Sequence, residues 1–214
     1  AQERLELQAK GKNDRARKHK NHTWQTQLYD EAKVGPKEAM DFATEFGNDS
    51  HQLIEAMALM DIGRPRLDTP STENQYIPII EGFKAWLRDS NIELVASELM
   101  VYHPAYKYAG TIDLVGIKMS DPLSMVVIDI KTGGVFDEAA MQISAYAEAL
   151  DYLTAPEWHV DDAIVLQLPR ERPTEWDADK LYEIYKVNNI QEYFDAFDTA
   201  YKLRGLLEKE AWSS

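Results

Sequence analysis

One apolar run of strand-forming residues constrains the fold of this chain more than any other segment. Residues 125–134 read MVVIDIKTGG, and the β-branched residues of this run are typical of a buried strand. Two charged residues, Asp129 and Lys131, interrupt the run near its end. Charged side chains are rarely buried unless they are paired or bind an ion. The segment therefore predicts a core strand with a chemical role at its end.

Helix and strand patterns surround this strand. Apolar residues at helical spacing predict helices at 37–46, after Asn48-Asp49-Ser50, after the capping-box segment 72–75, at 136–152 and from about 190. Strand patterns cover 93–102, 108–117, 124–131, 162–168 and 181–187. This order predicts an α/β or α+β arrangement in which a central mixed β-sheet is flanked by helices.

Two of the predicted helices have apolar residues that should face a core. The helix after Ser50 presents Leu53, Ile54, Met57 and Met60. The next presents Tyr76, Ile79, Ile80, Phe83, Trp86 and Leu87. We interpret this aromatic stripe as core rather than as a ligand site, because such stripes usually pack inward.

Charge is unevenly distributed along the chain. The net charge of −14 argues against broad, nonspecific binding of nucleic acid. Residues 1–20, however, contain seven Lys or Arg and three Asp or Glu. We therefore divide the chain into a basic N-terminal arm, 1–35, and a single domain, 36–214. The arm either contacts phosphates or is a solvated terminus.

The composition excludes several kinds of site. The chain contains no cysteine, so disulfides, thiolate nucleophiles, zinc–cysteine sites and iron–sulfur clusters are excluded, and a cytoplasmic location is expected. No apolar run approaches the roughly 18 residues of a membrane helix, so we expect no membrane partner. The oligomeric state is not indicated.

The turns between the first three strands predict a register. A hairpin centred near residue 121 would place Asp113 opposite Asp129. A turn at 103–106 would place Glu98 opposite Asp113. Three carboxylates would then form a row across neighbouring strands.

Such a row needs a compensating cation. Directly opposed side chains lie about 5 Å apart, where two like charges repel by roughly 3 kcal/mol at an effective dielectric near 20. Lys131 supplies one positive charge, which is too little to neutralise the row. Oxygen ligands select a hard ion, so the pattern predicts a Mg²⁺ or Mn²⁺ site rather than a zinc site. A shared proton or an edge-strand salt bridge is the alternative for any single pair.

The order of these segments resembles a known family. Gly110-Thr111-Ile112-Asp113, then Val127 to Gly133 (VIDIKTG), then Gln142-Ile143-Ser144-Ala145-Tyr146 resemble the motifs of the RecB-like PD-(D/E)xK nucleases. The upstream segment 47–55 resembles the family's Gly…His segment. Because the chain lacks cysteine, the closer likeness is to the cluster-free exonucleases, such as phage enzymes and the mitochondrial genome maintenance exonuclease.

This resemblance implies a restriction-endonuclease-like core and a DNA exonuclease dependent on Mg²⁺ or Mn²⁺. The enzyme would act on single strands or duplex ends in replication, recombination or repair, in the host cytoplasm if it is viral. The metal ligands it implies are His51, Asp113, Asp129 and the backbone carbonyl of Ile130.

The resemblance also implies roles around the metal. Lys131 would position or help deprotonate the attacking water, beside the catalytic carboxylates Asp113 and Asp129. Gln142 and Tyr146, four residues apart and thus on one helical face, would support the site or bind substrate. Glu98 would be an outer-shell or substrate-facing carboxylate.

Two other functions stay open from the sequence. One is a structure-specific or restriction-like endonuclease of the same fold, and the other is a non-catalytic module that binds DNA ends. The presence of Asp113, Asp129 and Lys131 together argues against the non-catalytic module, which would have little reason to keep all three.

Overall fold

The computed structural model describes residues 37, 40–64, 74–171 and 181–207. The chain divides into two compact units, 1–46 and 47–214. In the first unit the described residues 37 and 40–46 are helical. The predicted basic arm, 1–35, lies outside the described residues, as do Thr72 and Glu73 of the predicted capping box.

The second unit contains helices and strands in mixed order. Its helices are α1 (47–61), a short 3-10 turn (Asn74–Tyr76), α2 (Ile77–Asp89), α3 (Asp137–Thr154) and α4 (Ile190–Leu207). Its strands are β1 (Ile92–His103), β2 (Tyr108–Lys118), β3 (Asp121–Lys131), β4 (His159–Gln167) and β5 (Glu183–Lys186). None of the helices in the described ranges has both the length and the apolarity needed to cross a bilayer.

The strands form one five-stranded sheet in the order β1-β2-β3-β4-β5. The pairs β1–β2, β2–β3 and β4–β5 are antiparallel, whereas β3 and β4 are parallel. A parallel pair needs a long crossover, and α3 is that connection. The prediction of an α/β fold with a mixed sheet flanked by helices is confirmed.

The predicted hairpin registers are also confirmed. In β1 and β2, Ser97 pairs with Leu114 and Leu99 pairs with Ile112, so Glu98 stands opposite Asp113. The β2–β3 ladder has Leu114 opposite Ile128 as its last pair. Asp113 and Asp129 are the residues next to this last pair, where regular pairing between the two strands has ended.

The apolar stripe on α2 is core, as predicted. Tyr76, Ile79, Phe83 and Trp86 are buried, whereas Ile80 and Leu87 are half-buried. Full burial of such a side chain stabilises the fold by roughly 1.5–3 kcal/mol. Gly82 permits this packing, because a Cβ there would come within 2.4 Å of the Leu181 carbonyl oxygen.

Two predictions for α1 are wrong. Residues 48–50 were expected to precede a helix as caps, but they are helical themselves. Tertiary contacts override their capping preference: the Tyr76 hydroxyl donates to Asp49 Oδ2 at 2.7 Å, and Ser50 is buried. Met60, which was expected to face the core, is exposed, whereas Leu53 and Ile54 are buried and Met57 is half-buried.

Candidate active site

A side chain replaces regular strand pairing where β2 and β3 separate. The backbone N–H of Ile130 donates to Asp113 Oδ2 at 2.7 Å. A backbone N–H near the protein interior needs a partner, and beyond the Leu114–Ile128 pair the Asp113 carboxylate provides it. Asp113 is thereby fixed against the strand that contains Asp129 and Lys131.

His51 approaches the same carboxylate from α1. Its Nδ1 lies 3.6 Å from Asp113 Oδ2. The hydrogen-bonding interaction with Asp113 raises the pKa of His51, although partial burial opposes this rise. The negative charge of Asp113 raises it further. The imidazole therefore faces a site of net negative potential.

Glu98 reaches the site from β1 with an unusual backbone. Its φ is 50°, in the left-handed region that residues with a side chain rarely adopt. Burial raises the pKa of Glu98, and the charges of Asp113 and Glu55 raise it further, while His51 opposes the shift. In the part of the chain that the structure describes, one ligating atom from each of His51, Glu98 and Asp113 lies within 4.8 Å of the other two.

Asp129 and Lys131 form an ion pair beside this group. Lys131 Nζ lies 2.8 Å from Asp129 Oδ2, and Asp129 is only 5% exposed. This carboxylate oxygen is buried, and the Lys131 ammonium is the cation that lies beside it. Burial raises the pKa of Asp129, the charge of Asp113 adds to the rise, and Lys131 opposes it.

The predicted metal ligands are thus assembled in part. Asp113 lies beside both His51 and the Ile130 peptide. Asp129 is near enough for its charge to affect His51, but it does not belong to the mutually close group of three. Glu98, for which an outer-shell or substrate-facing role was expected, is in that group.

Gln142 and Tyr146 interact with each other on α3, next to the carboxylates. Gln142 Nε2 donates to the Tyr146 hydroxyl at 3.0 Å. Burial raises the pKa of Tyr146, the hydrogen bond from Gln142 opposes the rise, and the charges of Asp129 and Asp113 add to it. The α3 pair therefore borders the same electrostatic site.

This donor set fits a hard divalent cation. It combines carboxylate oxygens with one imidazole nitrogen, and the charge of Asp113 raises the pKa of Glu98 and that of the neighbouring Asp129. Carboxylates suit Mg²⁺ and Mn²⁺, and an imidazole ligand favours Mn²⁺ of the two. The buried Asp129 Oδ2, which is paired with Lys131, is a further acceptor that such an ion could bind.

Sequence reasoning missed one acidic neighbour of the site. Glu55 lies on α1, and its charge contributes to the raised pKa of Glu98. Glu55 follows His51 by four residues, which places the two on one helical face. That spacing from a predicted ligand was the available signal.

No protein-family model matches the chain, and no curated protein matches it. The site is therefore interpreted from its own geometry and chemistry.

Proposed function

We propose that this protein is a divalent-metal-dependent DNA exonuclease of the RecB-like PD-(D/E)xK type, with a restriction-endonuclease-like core. The hydrogen bond from Ile130 N–H to Asp113 Oδ2, at 2.7 Å, supports this proposal most strongly. It joins the strand of the Gly-x-x-Asp motif to the strand of the Asp-x-Lys motif. A merely coincidental pair of motifs would not be expected to meet at one atom.

The ion would be bound by groups from four elements. His51 on α1, Glu98 on β1 and Asp113 on β2 supply ligating atoms within 4.8 Å of one another. Asp129 and the Ile130 carbonyl would complete the coordination from β3. When bound, Mg²⁺ or Mn²⁺ would act as a Lewis acid on a phosphoryl oxygen and make the attacking water more acidic.

Lys131 is suited to act on the attacking water and on the phosphate. Its side chain is 31% exposed, while Asp129 holds its Nζ at 2.8 Å. The ammonium can therefore donate hydrogen bonds outward, both to the water and to a phosphate oxygen. As the water oxygen bonds to phosphorus, the water loses a proton to the solvent and the phosphorus–sugar oxygen bond breaks. The leaving sugar oxygen takes up a proton from the solvent.

The substrate class is part of the proposal. Gln142 and Tyr146 would contact the strand being cut, because they border the carboxylates. The preference for DNA ends and the cytoplasmic location, in the host cell if the protein is viral, rest on the resemblance and on the absence of cysteine.

One assay tests this function. Purified protein is incubated with end-labelled linear and closed circular single-stranded DNA in Mg²⁺, Mn²⁺ or EDTA. Metal-dependent loss of the linear DNA alone is expected. Cutting of circles would instead identify an endonuclease, and binding without cutting would identify a DNA-binding module.

Matched variants connect the activity to the site. Lys131→Ala should abolish cleavage, since no other described lysine pairs with Asp129. Lys118→Ala is the control. Lys118 is the last residue of β2, about 17 Å along the strand from Asp113, and it pairs with Asp162 rather than with Asp129. Full activity of the Lys131 variant would refute the assignment.

A further inference from the structure

A groove runs from the candidate active site along the start of α3. Its volume is about 470 Å³, within the usual range of ligand-binding cavities. Lys131 and Gln142 line it, so the groove is continuous with the proposed catalytic site. The rest of its described lining includes Phe136, Glu138, Met141 and Phe197.

Phe136 is the most unusual of these residues, because its ring lies largely in solvent. The residue is 72% exposed, although its backbone is fixed as the residue that precedes α3. Its carbonyl accepts the Ala139 N–H at 2.9 Å. The ring lies over Gly134, where a Cβ would come within 3.0 Å of Phe136 Cζ. An exposed aromatic ring on a backbone that is fixed by its hydrogen bond at the start of α3 is suited to stacking against a flat ligand.

The charges of the groove favour a base over a second phosphate. Lys131 provides a cation where the groove meets the catalytic site. Glu138, the acidic residue among the described lining, would repel a phosphate deeper in the groove and can accept hydrogen bonds from a base edge. Met141 and Phe197 add apolar surface. A nucleotide unit would therefore fit with its phosphate near Lys131 and its base in the groove.

We propose that this groove binds one unpaired nucleobase next to the phosphate being cut, stacked on Phe136. The inference rests on the proposed function and specifies its substrate as a single strand, because a base stacked within a duplex cannot present its face to Phe136. Base–aromatic stacking is tolerant of sequence, so the groove would select unpaired strands without selecting a sequence.

A double-mutant cycle that removes the Phe136 ring, the nucleobase or both tests whether the two stack on each other. Oligothymidylate is prepared with a single abasic residue at each position in turn, and cleavage in Mn²⁺ is measured for wild type and Phe136→Ala. At one position near the cleaved bond, base removal should lower kcat/KM by roughly 5- to 150-fold in wild type. Phe136→Ala should lower kcat/KM by a similar factor on the intact strand and cause no further loss on that abasic strand.

Matched variants separate stacking from general damage. Phe136→Trp should retain activity, whereas Gly134→Ala, which displaces the ring without removing it, should cause a smaller loss than Phe136→Ala. Trp158→Ala is the control, because this exposed aromatic follows the far end of α3, an 18-residue helix roughly 27 Å long.

The outcomes distinguish this inference from the proposed function. Binding of the same oligonucleotides in EDTA, followed by fluorescence anisotropy, provides a readout that does not need cleavage. If cleavage is normal and the effects of Phe136→Ala and of base removal are independent at every position, the proposed role of the groove is wrong. The exonuclease proposal would then still stand. Binding that shows the same coupling without any cleavage would support the groove and overturn the exonuclease. A wild type that neither cleaves nor binds DNA would overturn both.

Discussion

The Tyr146 ring lies directly over Gly110. A Cβ on Gly110 would come within 2.2 Å of Tyr146 Cε1, a distance that real contacts do not reach. The glycine of the Gly-x-x-Asp segment and the tyrosine of the Gln-x-x-x-Tyr segment are therefore one packing unit, although 36 positions separate them in the chain. Since Gln142 donates to the Tyr146 hydroxyl, the positions of the Gln142 and Tyr146 side chains both depend on β2 having a glycine at position 110.

Replacing Gly110 should disturb this unit. Gly110→Ala should move the Tyr146 ring and destabilise the fold by about 1–3 kcal/mol, as overpacking typically does. Urea unfolding measures this change, and cleavage of linear DNA in Mn²⁺ should fall with it. Gly205→Ala is the matched control: Gly205 is helical and no atom of the described residues lies within 4 Å of its missing Cβ, so alanine should stabilise by about 0.5–1 kcal/mol. An unchanged Gly110→Ala protein would mean that the ring moves freely.

Relieving the backbone strain at Glu98 should separate stability from function. With φ at 50°, this position favours glycine. Glu98→Gly should therefore leave the protein about 0.4–1 kcal/mol more stable than the same replacement at a position with an ordinary φ. It should also weaken Mn²⁺ binding, because a ligating oxygen is lost. Glu93→Gly, at an exposed position of the same strand, should cost about 0.5–1 kcal/mol. Denaturant titration of both variants measures the difference in their free energies of unfolding. Equal destabilisation of the two variants would contradict the prediction of strain at Glu98.

Metal should stabilise the wild type and not Asp129→Asn. Burial and the Asp113 charge raise the pKa of Asp129 in the folded state. The free energy of unfolding of the metal-free protein therefore decreases as pH rises through that pKa, because the buried carboxyl becomes charged. In EDTA at pH 7 the asparagine variant should therefore unfold at or above the wild-type temperature. At a Mn²⁺ concentration near 100 times its Kd, the wild type should gain about 2.7 kcal/mol. Thermal unfolding with and without Mn²⁺ measures both effects, and an equal gain in the variant would exclude Asp129 as a ligand.

A separate charge cluster should make stability depend on pH. Asp162 lies 3.0 Å from Lys118 Nζ and 2.5 Å from Lys186 Nζ, which connects β4 with β2 and β5. Partial burial opposes the shift, but the hydrogen bonds from Lys186 and Lys118 hold the pKa of Asp162 below its usual value.

Because the folded-state pKa is lowered, this contribution is complete above the unfolded pKa of about 3.9 and is lost as pH falls through the folded value. Asp162→Asn should cost about 1 kcal/mol at pH 7, and the difference from wild type should shrink below about pH 4. Unfolding free energies across pH test this trend. A constant difference would show that charge is not the cause.

Hairpin registers were predictable because β3 has few alternatives. A slip of one residue would bring Asp129 and Lys131 to the opposite face, so turn position and burial specify one pairing. Other features were not predictable from local patterns. The left-handed backbone of Glu98 and the irregular pairing between Leu94 and Ala96 have no local sequence signal such as a glycine at either place. The helical state of 48–50 depends on a hydroxyl that comes 27 residues later.

The Asp113 carboxylate is also a structural acceptor, and this affects how the site can be dissected. It takes the Ile130 N–H where the strand ladder has stopped, so alanine at 113 would strip an amide of its partner while removing the charge. An inactive alanine protein would therefore confound chemistry with architecture, whereas asparagine keeps an oxygen in place for the amide and isolates the loss of charge.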